Sequence, residues 1–340
     1  MFRSPVKESE PPLPLLITGI AGVAGYNAFH FFRARYGDRV IGTRRAANWL
    51  LRGEGIVACD THDADGLKRL FDMHQFASVL SCDGTCALKS CELDPPMAWR
   101  VNVLGIENLL EVVEATTRLV HLSVDLVFSG SGAGDLNEDD ATDPVTVYGK
   151  TMEQSEQLVL QERPDACVLR ISLPMGVSFN GHAGAIDWIQ SRFIKNKPAT
   201  LYFDEVRTPT YTDCLNFTLS TILANDLCGL FHAGGPRKLS LYEIAQIVNR
   251  VGGYRASLLM GCDRSEAGPM PPRAGDVSLD SARLTKMLGF SPFDPWPFTA
   301  EFVPTDRDWH QERPVGEKGC PELLQEILYS NPQRASGIVS

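Results

Sequence analysis

The chain has 340 residues, 44% hydrophobic and 22% charged, with a net charge of −10 at neutral pH. That composition is of a globular protein and excludes a disordered one. It holds no extended basic run for nucleic acid and no run of 18 apolar residues to span a membrane.

The first residues, "MFRSPVKESEPPLP", lack the apolar core of a secretory leader, and 1–12 read as a loose polar tail. A strand is predicted at 13–19, a helix at 23–35, and strands at 39–43 and 55–59. A helix follows at 63–74, a strand at 76–82, one long helix at 94–116 and a strand at 118–123. A helix at 145–162 and a strand at 166–172 complete the series. The strands are almost continuously apolar, as strands buried on both faces are. Their alternation with amphipathic helices predicts an α/β fold, a doubly wound parallel sheet. Past Pro174 the rhythm loosens, with helices at 183–195, 212–225, 240–252 and 280–288. Ser240 and Glu243 of "SLYE" form a capping box. This half predicts a smaller, mostly helical domain. Residues 303–340, rich in charge, Pro and Gly, read as peripheral. The nine cysteines are scattered. Cys82, Cys86 and Cys91 cluster, but spacings of four and five fit no zinc site. They read as reduced packing thiols of a cytoplasmic chain.

"TGIAGVAG" (18–25) follows the first strand and opens the first helix. Glycines there let a backbone approach a pyrophosphate seated on the helix N-terminus. Thr18, Gly19, Ala21, Gly22, Val23, Ala24 and Gly25 are therefore candidate cofactor contacts. The glycine spacing is three and three, not the commoner two and three. The second strand ends in Arg44 and Arg45, where an NAD site carries Asp or Glu; arginines suit a 2′-phosphate. NADP(H) is expected in preference to NAD. Asp60, after the third strand, is placed near the adenine.

Several stretches together carry a likeness: "TGIAGVAG", "CELDPPMAWRVNVLGIENL" (91–109), "HLSVDLVFSG" (121–130), "DPVTVYGKT" (143–151), "VLRISLPMG" (168–176), "TPTYTDCL" (208–215), "GLFHAGGPRKLSLYEIA" (229–245) and "PPRAGDVSLDSARLTKMLGF" (271–290). The chain resembles the extended short-chain dehydrogenase/reductase superfamily, and within it the dTDP-4-dehydrorhamnose reductase family. The resemblance implies a Rossmann domain over 13–174 and again over 209–234. It implies a substrate domain over 175–208 and 235–302 for a sugar or nucleotide sugar, and a homodimer joined through 94–116 and 145–162. Leu104, Leu109, Val112, Leu158 and Val159 are candidates for that seam.

By the same resemblance Tyr148 is the catalytic tyrosine and Asn102 the helical asparagine. The family's lysine falls on Met152 and its Ser/Thr on Val124, flanked by Ser123 and Asp125. Cys82, Asp83, Gly84 and Leu173 line the cofactor, with Asp83 in place of a small apolar residue. Asn180, Arg207 and Arg273 meet the substrate, the arginines through a diphosphate.

Met152 cannot lower a phenol's pKa or donate to a ribose, because a thioether carries no charge. Lys150 is two residues along the helix and points elsewhere. Tyr148 is then a phenol that stays protonated at neutral pH and can still give up a proton. Ser123 is a candidate to take over the role of Val124, and Asp125 is a candidate acid. Three readings follow: a reductase with an altered proton relay, a cofactor-binding regulator like the regulatory subunit of methionine adenosyltransferase, or a lyase or isomerase using the same cleft.

Overall fold

The computed structural model describes residues 10–182, 184–313 and 319–332. Seven strands form one parallel sheet: β1 Leu15–Ile17, β2 Val40–Arg44, β3 Ile56–Ala58, β4 Ser78–Ser81, β5 Arg118–Val124, β6 Cys167–Ile171 and, later in the chain, Gly229–Ala233. The spatial order from that last strand is β6, β5, β4, β1, β2, β3. Strand order reverses between β1 and β4, and Leu15–Ile17 of β1 pair in parallel with β2 on one side and β4 on the other. In open sheets of this kind, ligands bind outside the strand ends at such a reversal.

Alternate side chains go to opposite faces, as a period of two demands. Leu15 and Ile17 join one core with Phe29, Phe32 and Leu215. Leu16 joins the other, with Leu67, Ile106, Leu109 and Val159. The first face is covered by α1 (Val23–Tyr36) and by the later helix Thr212–Leu223. The second is covered by α2 (Ala64–His74) and by the helices at 95–112 and 147–162.

The helix expected at 94–116 is not uniform. A short α3 (Leu88–Leu93) precedes it, and Asp94 caps α4 (Pro95–Trp99) by accepting from the Met97 N–H at 3.0 Å. A wide π-type turn, Arg100–Leu104, then leads into α5 (Gly105–Val112). The extra residue in that turn presents Asn102. Such bulges cluster at functional positions. The next helix, α6 (Val147–Glu162), is capped by Thr146, which accepts from the Gly149 N–H at 2.9 Å.

Beyond β6 come β7 (Pro174–Met175), α7 (Ala185–Ile194), β8 (Ala199–Tyr202), β9 (Val206–Arg207), β10 (Thr210–Tyr211) and α8 (Thr212–Leu223). Then β11 (Gly229–Ala233) returns to the sheet edge beside β6. After it stand β12 (Leu239–Ser240), α9 (Leu241–Val251), β13 (Leu259–Cys262) and α10 (Ala282–Leu288). The Ser240–Glu243 capping box is formed in both directions. Residue 183, the expected start of α7, lies outside the described residues.

Two expectations need correction. The tail ends earlier than residue 12, because Pro11 is buried and the Pro12 carbonyl accepts from Ser78 Oγ; residues 1–9 lie outside the described residues. Nor is 303–332 peripheral. Trp309, Leu324, Leu328 and Tyr329 are buried in the same core as β1 and α9, and Tyr211 Oη donates to the Ile327 carbonyl at 2.7 Å. The rest of that segment, 314–318 and 333–340, lies outside the described residues. No helix among the described residues is long and apolar enough to cross a membrane.

Candidate active site

The reversal brings two loops into contact. Gly19 has a φ of 65°, and a Cβ there would lie 2.4 Å from the Cys82 carbonyl oxygen and 2.7 Å from the Asp83 nitrogen. A Cβ at Gly25 would lie 2.6 Å from the Gly19 carbonyl oxygen. Both glycines are required by the protein's own packing. Gly22 differs: a Cβ there would meet only an ordinary contact at 3.6 Å. Space over Gly22 is thus open to a ligand. Thr18 Oγ1 accepts from the Cys82 N–H at 3.2 Å and ties the two loops together. Gly22 caps α1 without a side-chain hydrogen bond, and no acidic residue stands in the first turn. Val23 and Ala24 are buried beneath, with Ala21 packed beside them. The positive end of α1 is therefore open to an anion.

Arg44 closes β2 and donates to the Arg45 carbonyl at 3.1 Å. Arg45 Nε lies 3.9 Å from Asp60, whose Oδ1 also accepts from the Ala46 N–H at 3.3 Å. Thr43 Oγ1, Arg44 Nε, Arg45 Nε and Asp83 Oδ2 are buried without hydrogen-bond partners. Buried polar atoms without partners mark a place for a polar ligand. With the open α1 end they fit a nicotinamide dinucleotide: the glycine loop for the pyrophosphate, Thr43, Arg44 and Arg45 for the adenosine ribose and its substituent. Nothing in the sequence singles out Thr43, since a threonine near a strand end looks like any other.

Burial pushes the Asp83 carboxyl up to about 6, against the opposing pull of the Thr18 hydroxyl; Asp60 adds to the rise, and Arg45 and Thr61 oppose it. An anionic ligand beside it binds best when Asp83 is neutral. NADH is expected to bind about tenfold more tightly at pH 5.5 than at pH 7.5. Asp83→Asn should remove that dependence. Calorimetric titration at both pH values checks it, with NADH chosen because it lacks a titrating 2′-phosphate. Equal pH dependence in the variant would refute the assignment.

The catalytic candidates stand on α6 and the turn before it. Gly149 permits this: a Cβ there would lie 2.1 Å from the Leu126 carbonyl oxygen, so the helix start presses on residues 125–127. Tyr148, in that first turn, is 7% exposed. Burial raises its phenol well above 10, and Cys86, Asp125 and Cys91 push the same way. It is protonated at neutral pH. Met152, one turn on, is 2% exposed and packs with Tyr148, Cys91, Val127, Phe128 and Val277. A Cβ on Gly84 would lie 3.5 Å from Met152 Sδ, so Met152 faces the loop that follows β4. Lys150 is exposed. Asn102 Oδ1 accepts from the Thr85 N–H at 2.8 Å, and its Nδ2 donates to Thr151 Oγ1 at 2.8 Å. It staples the loop that follows β4 to α6.

Ser123 does not replace the hydroxyl lost at Val124. It lies opposite Arg170 in the sheet and its hydroxyl donates to Glu156, beneath α6. Val124, the next residue, packs against the Tyr148 cluster. Asp125 Oδ2 accepts from Ser172 Oγ at 2.6 Å and lies 3.5 Å from Arg207 Nε. Burial raises its pKa, and Arg207 then Ser172 oppose the rise. Arg207 is also not as expected. It is held by Asp125 and by Glu205 Oε1 at 2.9 Å, so it is not a free cation awaiting a diphosphate. Arg273 lies over the Tyr202 ring at 4.6 Å. Asn180 is exposed, and its Oδ1 accepts from the His182 N–H at 3.0 Å. Leu173 packs against the main core.

The model of one family, the RmlD substrate binding domain, matches residues 13–300. Similar proteins include methionine adenosyltransferase 2 subunit beta of Danio rerio, 24% identical over 87% of this chain and 93% of that one. The dTDP-4-dehydrorhamnose reductase of Mycolicibacterium smegmatis is 27% identical over 83% and 82%. Among solved structures, a dTDP-4-dehydrorhamnose reductase of Bacillus anthracis in complex with NADP superposes with a TM-score of 0.68 at 18% identity, covering 83% of this chain and 95% of that one. With the sheet, the glycine loop and the family match in agreement, the chain belongs to the RmlD substrate binding domain family, within the extended short-chain dehydrogenases/reductases.

Proposed function

We propose that this protein is an NADP(H)-dependent oxidoreductase that reduces a keto group of a sugar, with Tyr148 as the proton donor and no lysine in the relay. The observation that carries the reading is Tyr148 itself. It is buried and protonated, one turn from Met152, which faces the loop that follows β4. When bound, the nicotinamide supplies the hydride. Tyr148 Oη gives its proton to the oxygen of the carbonyl being reduced. Asn102 fixes the loop at Thr85 relative to α6. The apolar cluster of Met152, Val124 and Val277 excludes water from the phenol. With no cation to stabilise the tyrosinate that proton transfer leaves, Tyr148 is a weak donor in reduction, and the tyrosinate that oxidation would start from is scarce at neutral pH.

The preference for NADP(H) rests on Arg44 and Arg45. NADPH should bind more tightly than NADH by about 1.5–3 kcal/mol, the range of a charge-assisted contact. Fluorescence titration of wild type and Arg44→Ala with both cofactors checks it. Equal affinities, or a variant that keeps the difference, would sink the assignment.

A second reading, a cofactor-binding regulator without turnover, is favoured by the loss of the cation at Met152 and by the likeness to methionine adenosyltransferase 2 subunit beta. A homodimer through α4–α6 is also proposed. Leu109 and Val159 are buried against the sheet, so the seam falls to half-buried Leu104, Val112 and Leu158 with exposed Trp99. Sedimentation at micromolar concentration should give twice the chain mass, and a monomer would refute it.

A further inference from the structure

The chain past residue 300 lies beyond the matched family region, yet it reaches the flank of the dinucleotide site. There α11 (Pro321–Leu324) runs into a π-type turn, Gln325–Tyr329. Two buried side chains hold that turn: Tyr211 by its bond to the Ile327 carbonyl, and Trp296, whose Nε1 donates to the Leu328 carbonyl at 2.9 Å. The Asn331 N–H donates to Asp213 Oδ2 at 2.9 Å. Tyr329 thus leaves a backbone that is fixed on both sides of it. Its Oη donates to Asp187 Oδ1 at 3.0 Å. Burial, then Asp187, raises the Tyr329 phenol, so Oη keeps the proton it donates.

Asp187, in the first turn of α7, is buried. Its Oδ2 accepts from Ser178 Oγ at 2.5 Å and from the Gly184 N–H at 3.0 Å. Among the described residues these donors and Tyr329 are its hydrogen-bond partners, and all three are neutral. A buried carboxylate so placed depends on each of its hydrogen bonds. Ser178 and Gly184 in turn flank the start of α1. Asn27 Nδ2 donates to the Val23 carbonyl at 2.7 Å and to the Val177 carbonyl at 2.8 Å. A Cβ on Gly184 would lie 3.4 Å from Val23 Cγ2. Val177 and Gly184 therefore stand against the first turn of α1, beside the open face of Gly22. We propose that Tyr329 is a positioning residue for the cofactor: through Asp187 it fixes the wall that Val177, Ser178 and Gly184 form beside the pyrophosphate, and so slows release of the dinucleotide. The proposal rests on the dinucleotide reading of the glycine loop and adds to it a residue from outside the matched family region.

The test compares wild type, Tyr329→Phe, Asp187→Ala and the double variant. Phenylalanine keeps the buried ring and loses only the donor. NADPH dissociation is followed by stopped-flow fluorescence, and amide hydrogen exchange at Val177, Ser178 and Gly184 is read without cofactor. Tyr329→Phe should release NADPH about tenfold faster and speed exchange at those amides. In the Asp187→Ala background the same change should alter the release rate by less than about twofold, because the contact is already gone. Unchanged release in Tyr329→Phe would overturn the proposal, as would unchanged exchange, or the full tenfold effect persisting in the Asp187→Ala background. A wild type that binds no NADPH would instead contradict the dinucleotide reading on which the proposal rests.

Discussion

Arg170→Ala is expected to lower the stability of the protein by about 3–5 kcal/mol, the cost of stranding a buried charge. Arg170 and Glu156 form a bidentate pair, with Nε 2.9 Å from Oε1 and Nη2 2.7 Å from Oε2, and both side chains are almost fully buried. Ser123 donates to the same carboxylate. Arg170 Nη1 lies 3.3 Å from His232 Nε2, and the Phe128 ring centroid lies 5.0 Å from the guanidinium. Removing the arginine leaves Glu156 beneath α6 with no counter-charge. Replacing both partners by apolar residues, as in Arg170→Met with Glu156→Leu, should recover most of the loss. Urea denaturation with an unchanged m-value reads both. A loss under about 1 kcal/mol in the single variant would show that water reaches Glu156.

The same layer sets an acid limit. His232 Nδ1 lies 2.9 Å from the Leu136 carbonyl, which makes Nδ1 the protonated nitrogen and leaves Nε2 to accept from Arg170. Burial, then the Arg170 charge, lowers this histidine to about 4, and burial lowers His121 to about 4. Unfolded histidine titrates near 6.5, so the unfolded chain binds the extra protons. Stability from these two residues is present above about 6.5 and is lost as pH falls toward 4.

The sheet was legible because buried parallel strands write themselves as apolar runs, and the glycine loop because its spacing follows such a run. The polar layer was not. Ser123, Arg170 and His232 are 47 and 62 residues apart in sequence, and only the register of β5, β6 and β11 lines them up. The π-type turn at Asn102 was invisible because one extra residue barely disturbs a helical pattern. Arg207 read as a free cation because its partner Asp125 lies 82 residues away. The C-terminal segment misled because its charge and proline content hid the few apolar residues, Leu324, Leu328 and Tyr329, that anchor it.

Tyr148 carries the functional account, and the loss expected from Tyr148→Phe is the larger of the two effects on activity. A positioned proton donor contributes about 10²–10⁴-fold in rate. Phenylalanine keeps the ring in its cluster with Met152, Phe128 and Val127, so the fold and the cofactor affinity should be unchanged while turnover falls by that factor. Met152→Lys acts in the opposite direction. The ammonium would sit one turn from the phenol, lower its pKa and raise turnover. Because the surroundings are apolar, it should also destabilise the cofactor-free protein.

The most direct measurement follows NADPH oxidation by wild type, Tyr148→Phe and Met152→Lys on one panel of free and nucleotide-linked keto sugars. Wild type should turn over, Tyr148→Phe should lose about 10²–10⁴-fold with NADPH still bound, and Met152→Lys should gain. Wild-type turnover that survives Tyr148→Phe, or bound NADPH with no turnover in any of the three, would contradict it.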